Sequence, residues 1–156
     1  MTVLRHGFLG ALGAGPRDRL IALARDVSFP GATRVFEEHG PADRFWVVRS
    51  GLVALDIHVP GRRDAVVETL GEGELLGWSW LFEPYRWHLG ARTRGAVVAY
   101  EFDAREVRAM CDDDPTFGLA VNHCVAQVIA RRLKATRLRL LDLYGRPDAE
   151  NIQGTA

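Results

Sequence analysis

The sequence predicts a mainly β domain, an antiparallel sandwich or barrel, with helices at both ends. Three observations carry that expectation. From Val27 onward, short segments rich in β-branched and aromatic residues alternate with turn signals at roughly ten-residue spacing, the pattern of an all-β sandwich or barrel. A glycine- and tryptophan-rich stretch, Gly71 to Arg94, interrupts the strands with what reads as a tight loop, one short helical turn and a second loop. Finally, Pro115 to Tyr144 carries helical spacing throughout and is closed by Gly145 and Pro147. The whole has 156 residues, the size of one domain.

Taken in order, Pro16 precedes Leu20, Ile21, Leu23 and Ala24, which predicts a short amphipathic helix over about 16–25. It is expected to cover one end of the β-core. Pro30-Gly31, His39-Gly40-Pro41 and Ser50-Gly51 then mark turns. Strands are expected at Arg34 to Glu37, Phe45 to Arg49, Leu52 to Val59 and Ala65 to Leu70, the last pair joined by a hairpin turn at 60–64. Gly95 to Phe102 is the last strand. Asp103 is an N-cap candidate with Glu106 three positions on. Asp114 is a second N-cap, with Pro115 at the first helical position.

Composition excludes several function classes. Twenty basic and twenty acidic side chains give a formal net charge of +0, so no global field steers the chain to nucleic acid or to an anionic membrane. Two cysteines, Cys111 and Cys124, are too few and too far apart for a zinc site or disulfide framework, and they fit a reducing cytoplasm as small buried hydrophobes. The apolar run near the N-terminus is broken by glycines and lacks a cleavage site, and no stretch reaches the roughly 20 apolar residues of a membrane span. The five histidines are isolated from one another, and no nucleophile–base order is legible, so neither a metal site nor an enzyme is expected. The acidic run Asp112 to Asp114 is read as helix capping.

The cassette carries the chemistry. Gly77 permits positive φ and close approach of another group. The backbone N–H groups of Trp78, Ser79, Trp80 and Leu81 are expected to open a short helix and offer an anion site, with Arg86 and Arg92 adding charge. Three indoles, Trp78, Trp80 and Trp87, either frame that pocket or pack as core. The terminal helix would be about 45 Å long, longer than such a domain is wide. Val125, Ile129, Leu133, Thr136, Leu140 and Leu143 recur at spacings of three and four, a heptad-like seam. A second copy of the same helix is the expected partner, giving a parallel homodimer. Arg131, Arg132, Lys134, Arg137 and Arg139 are read as a solvated face.

The order of elements resembles the cyclic nucleotide-binding domain of the catabolite activator and FNR type. PGATRVFEEHGPADRFWVVRSGLVAL, GEGELLGWSWLF and ARRLKATRLRL are similar to that family's opening strands, ligand cassette and dimer helix, and the likeness covers roughly Leu20 to Tyr144. It implies a double-stranded β-helix, or jelly roll, with a long dimerisation helix. It also implies a ligand site made of Gly77, Trp78, Ser79, Trp80, Leu81, Arg86, Trp87, His88 and Arg92, with Thr136 reaching the base from the helix seam. Trp78 stands where the family places a glutamate, and an indole can only donate. Trp87 stands at the phosphate arginine, with Arg86 before it and His88 after it. The ligand implied is a cyclic nucleotide or another phosphorylated small molecule, with no cofactor required.

The expected organisation is an N-terminal helix and β-roll over 1–112, the dimerisation helix over 113–145 and a polar tail over 146–156. Three readings follow. One is a stand-alone regulatory ligand-binding module that signals through its dimer helix to a protein partner. The second is a ligand-free dimeric interaction module whose indoles plug the pocket. The third is a transcription-associated regulator acting through a partner, because no recognition helix follows the dimer helix and direct DNA binding is not expected.

Overall fold

The computed structural model describes residues 6–145. The two long strands, β3 (Arg44–Ile57) and β6 (Gly90–Asp103), run antiparallel and form the spine of a six-stranded sheet. Four shorter strands hang on them: β1 (Arg25–Phe29) and β2 (Arg34–Phe36) on β6, and β4 (Ala65–Leu70) and β5 (Leu75–Leu76) on β3. The sheet curls into a roll because the spine breaks at two glycines. Gly51 sits at φ +91°, and a Cβ there would lie 2.4 Å from the Ala96 carbonyl oxygen, so only glycine fits. The register slips on both sides of Ser50, the mark of a bulge that bends a strand. Gly95 is also at positive φ, on the facing strand.

That bend corrects the sequence reading. The segments 45–49 and 52–59 are one continuous strand, and Ser50-Gly51 is a kink within it rather than a turn between two strands. Burial runs unbroken on either side of the kink, through Phe45 to Val48 and Val53 to Asp56, so both faces of the strand are covered there. Inside, Phe45 stacks on Trp80 at 4.0 Å and on Phe102 at 4.8 Å between ring centroids. Each such buried ring contributes about 1.5–3 kcal/mol of apolar burial.

Helices close the open end. α1 (Gly7–Ala11) was absent from the sequence expectation, yet Phe8, Leu9 and Leu12 are buried in the main core. The described part of the interrupted apolar run, from Phe8 to Leu12, is therefore packing surface. α2 (Ala14–Ile21) ends earlier than the predicted 25, since Arg25 enters β1. α3 (Ala104–Asp113) starts at Asp103, whose carboxylate accepts from the Glu106 N–H at 3.1 Å. α4 (Pro115–Tyr144) starts at Asp114, which accepts from the N–H groups of Thr116 and Phe117, with Pro115 at the first turn. Both caps and the 30-residue length are as the sequence predicts. α3 and α4 cross closely at Gly118, where a Cβ would meet the Cys111 carbonyl oxygen at 2.7 Å.

α4 has two halves with different duties. Phe117, Val121, Cys124, Val125 and Val128 pack into the domain core. From Leu133 to Tyr144 no residue is buried, so the last turns project past the roll. The predicted tail, 146–156, lies outside the described residues.

Candidate functional site

The cassette begins where β4 turns back. The Glu74 carboxylate accepts from the Gly71 N–H at 2.7 Å and closes the turn. Gly73 and Glu74 then exchange backbone bonds with Val48, which seats β5 against β3. Gly77 follows at φ +94°. Ser79–Leu81 is a single 3-10 turn, and its first carbonyls are already bonded by the N–H groups of Leu81 and Phe82. This corrects the expectation of a helix opening onto an anion: three residues carry little aligned dipole, which builds up over several turns.

The three indoles divide by role. Trp80 is fully buried, donates to the Gly77 carbonyl at 3.0 Å and stacks on Phe45, so it is core and no ligand residue. Trp87 is also buried, stacked on Phe36 at 4.1 Å. Its ring lies flush on Gly77, where an added Cβ would be 2.5 Å from it. Backbone bonds to His39 and Gly40 hold the loop so that Trp87 turns in and its neighbour Arg86 turns out. Trp78 alone is half-exposed. It stacks on the His88 ring at 5.4 Å, and Ser79 Oγ lies 3.0 Å from His88 Nδ1.

Two spaces open beside Trp78. A niche of about 60 Å³ lies against Gly77, Ser79, Trp87 and His88. A wider cavity of about 250 Å³ runs from Trp78 and Leu89 to Ile129, Leu133 and Thr136 on α4. Leu55, Trp78, Leu89 and Arg132 wall both. Arg86 and Arg92 wall neither. Arg92 alternates along β6 with the buried Ala91 and Thr93, so its side chain leaves the opposite face of the strand. Leu81 packs half-buried against the core and also stays outside.

The cation that the sequence reading missed is Arg132. It was assigned to the solvated face of α4, yet its side chain is only 14% exposed. It donates to the Leu75 carbonyl and lies 3.8 Å from Glu68. Burial pulls its pKa down, opposed by Glu68 and Glu74, and a guanidinium stays protonated under any ordinary condition. A signal was present: Ile129, Arg132 and Thr136 are three and four apart, on one helix face. Thr136 donates to the Arg132 carbonyl at 2.9 Å and reaches the cavity rim.

The predicted seam needs one correction. Val125 is 0% exposed and belongs to the protomer's own core, where no second chain reaches it. The exposed seven-residue repeat is instead Leu119, Ala126, Leu133 and Leu140, alternating with Asn122, Thr136 and Leu143, while Ile129 between them is half-buried against the core. Leu119 is 73%, Leu133 49%, Leu140 52% and Leu143 76% exposed.

With the roll, cassette and helix in place, comparison with known proteins is decisive for family. The cyclic nucleotide-binding domain profile matches residues 26–114. The chain belongs to the cyclic nucleotide-binding domain family. Proteins of the Crp type are among those it resembles. A CRP-like cAMP-activated global transcriptional regulator of Mycobacterium tuberculosis is 30% identical over 117 residues, 75% of this chain and 50% of the relative. The chain thus spans about half the length of the curated relative it matches. Among solved structures, the c-di-GMP responsive global regulator CLP of Xanthomonas campestris superposes with TM-score 0.75 at 21% identity, covering 86% of this chain and 66% of that one. The catabolite activator protein of Thermus thermophilus gives TM-score 0.70 at 22% identity, covering 88% and 62%. A cyclic nucleotide-binding domain from Methylobacillus flagellatus gives 0.77 at 13%, covering 86% and 79%. These structures bear on the fold. As a jelly-roll member of the family, the chain matches the fold class read from its sequence.

Proposed function

We propose that this chain is a regulatory module that takes a cyclic nucleotide, or a phosphorylated ligand of similar shape, between Trp78 and α4. The observation that carries the reading is the cavity of about 250 Å³, with an indole face on one wall and a largely buried arginine on another. A base would stack on Trp78. The phosphate would face Arg132 and the niche beside Gly77, and Thr136 would meet the base edge from α4. Because α4 forms one wall, a ligand that binds one placement of the helix more tightly than another shifts its position, and the projecting turns pass that shift to a protein partner. A second copy pairs along the exposed repeat of α4.

Calorimetric titration with cyclic AMP, cyclic GMP and cyclic di-GMP tests this. Micromolar or tighter binding of one of them is expected, weakened at least tenfold by Trp78→Ala. No heat from any, with the protein folded, refutes the reading.

One observation favours a second reading, a ligand-free interaction module. Trp87 occupies the surface of Gly77 and leaves a niche of only about 60 Å³ beside it. The same titration separates the two.

A further inference from the structure

We propose that His88 is the charged anchor of this cavity, so that an anionic ligand is bound together with a proton. The inference rests on the ligand-binding reading above and adds its pH control. Arg86 and Arg92 lie outside, so the niche beside Gly77 has only two side chains able to carry positive charge, His88 and Arg132. Arg132 is already engaged by the Leu75 carbonyl and by Glu68. His88 is held ready. Its ring lies on Trp78 at an interplanar angle of 19°, and Nδ1 faces Ser79 Oγ, which leaves Nε2 for a ligand oxygen.

The electrostatics then link ligand to proton. An imidazolium and a phosphodiester form a charge-assisted hydrogen bond, stronger than one between neutral groups. Arg132 sets a fixed positive charge on the same niche, and an anion held between the two cations favours the imidazolium. The remaining charged groups do not reverse this sign. Glu68 on β4 faces Arg132 from the wider cavity. Asp56 and Arg34 neutralise each other beneath Gly90, at 2.7 Å. Arg86 points to solvent from the loop. Histidine is the side chain whose charge changes between about pH 5 and pH 8, whereas a cyclic phosphodiester keeps its charge across that range.

The test is calorimetric titration of the full chain with cyclic AMP, cyclic GMP and cyclic di-GMP at about pH 8 and about pH 6, each in two buffers of different ionisation heat. The expected result is a ligand that binds about tenfold tighter at the lower pH with net proton uptake. His88→Gln, which keeps a partner for Ser79 and cannot charge, binds at the weaker level at both pH values. Equal affinity at both pH values without proton uptake, or a pH dependence that survives in His88→Gln, overturns this inference and leaves the proposed function standing. Absence of binding by all three ligands at both pH values overturns both.

Discussion

Gly77→Ala is the most informative single substitution, because the site and the fold meet at that residue. Two costs add. An L-residue held near φ +94° stores about 1–3 kcal/mol of backbone strain. The new methyl would also stand 2.5 and 2.6 Å from two carbons of the Trp87 ring. That ring cannot swing aside freely, since it is buried and stacked on Phe36 with Trp46 at 6.4 Å. Overpacking of this kind costs about 1–3 kcal/mol. The expected loss is therefore about 2–6 kcal/mol, a large share of the roughly 5–15 kcal/mol typical of a domain. Urea unfolding followed by far-ultraviolet circular dichroism reads it directly. Trp87→Ala alone costs about 3–5 kcal/mol through its cavity. In the double variant the clash is absent, so the pair should be less destabilised than the sum by about 1–3 kcal/mol. A Gly77→Ala loss below 1 kcal/mol, or strict additivity in the double variant, would refute the claim that Trp87 packs on Gly77.

Other consequences concern α4 and its arginine. Asp114 is held below the usual carboxylate range by the Phe117 N–H and by Arg19, so its contribution is present above the unfolded-state pKa and is lost as pH falls through the folded value. Asp114→Asn should flatten the acid limb of a stability–pH curve below about pH 4 relative to the parent. Leu140→Ser should lower self-association in sedimentation equilibrium with protomer stability unchanged, whereas Val125→Ala should cost the protomer about 1–3 kcal/mol and leave the exposed repeat intact. Loss of self-association in Val125→Ala as well as in Leu140→Ser would place the seam where the sequence put it, through both residues. Arg132→Gln should weaken ligand binding and also cost about 1–3 kcal/mol in urea unfolding, because the Leu75 carbonyl and Glu68 lose their partner.

Much of the architecture was legible because it rests on local chemistry. Asp103 and Asp114 cap helices wherever the chain carries them, and Pro115 and Gly145 bound α4 from its own sequence. What escaped depends on tertiary placement. Gly51 reads as a turn residue; only the facing Ala96 carbonyl makes it a bend in a continuous strand. Arg86 and Trp87 are adjacent, and nothing local decides which turns inward, a choice made by backbone bonds to His39 and Gly40. Val125 fits a three–four spacing as well as the exposed repeat does, and where the domain surface ends along α4 is not written in the helix. Arg132 was missed for a related reason: a basic residue beside an apolar seam reads as solvated unless the carbonyl and carboxylate awaiting it on β5 and β4 are known.

The central claim is that the space between Trp78 and α4 is a nucleotide site. A crystal structure of the protein grown with saturating cyclic AMP tests it most directly. The account predicts a purine stacked on the Trp78 indole, its edge at Thr136, and the phosphate facing Arg132 and His88. An empty cavity with unchanged walls, or the nucleotide bound elsewhere on the chain, would contradict it.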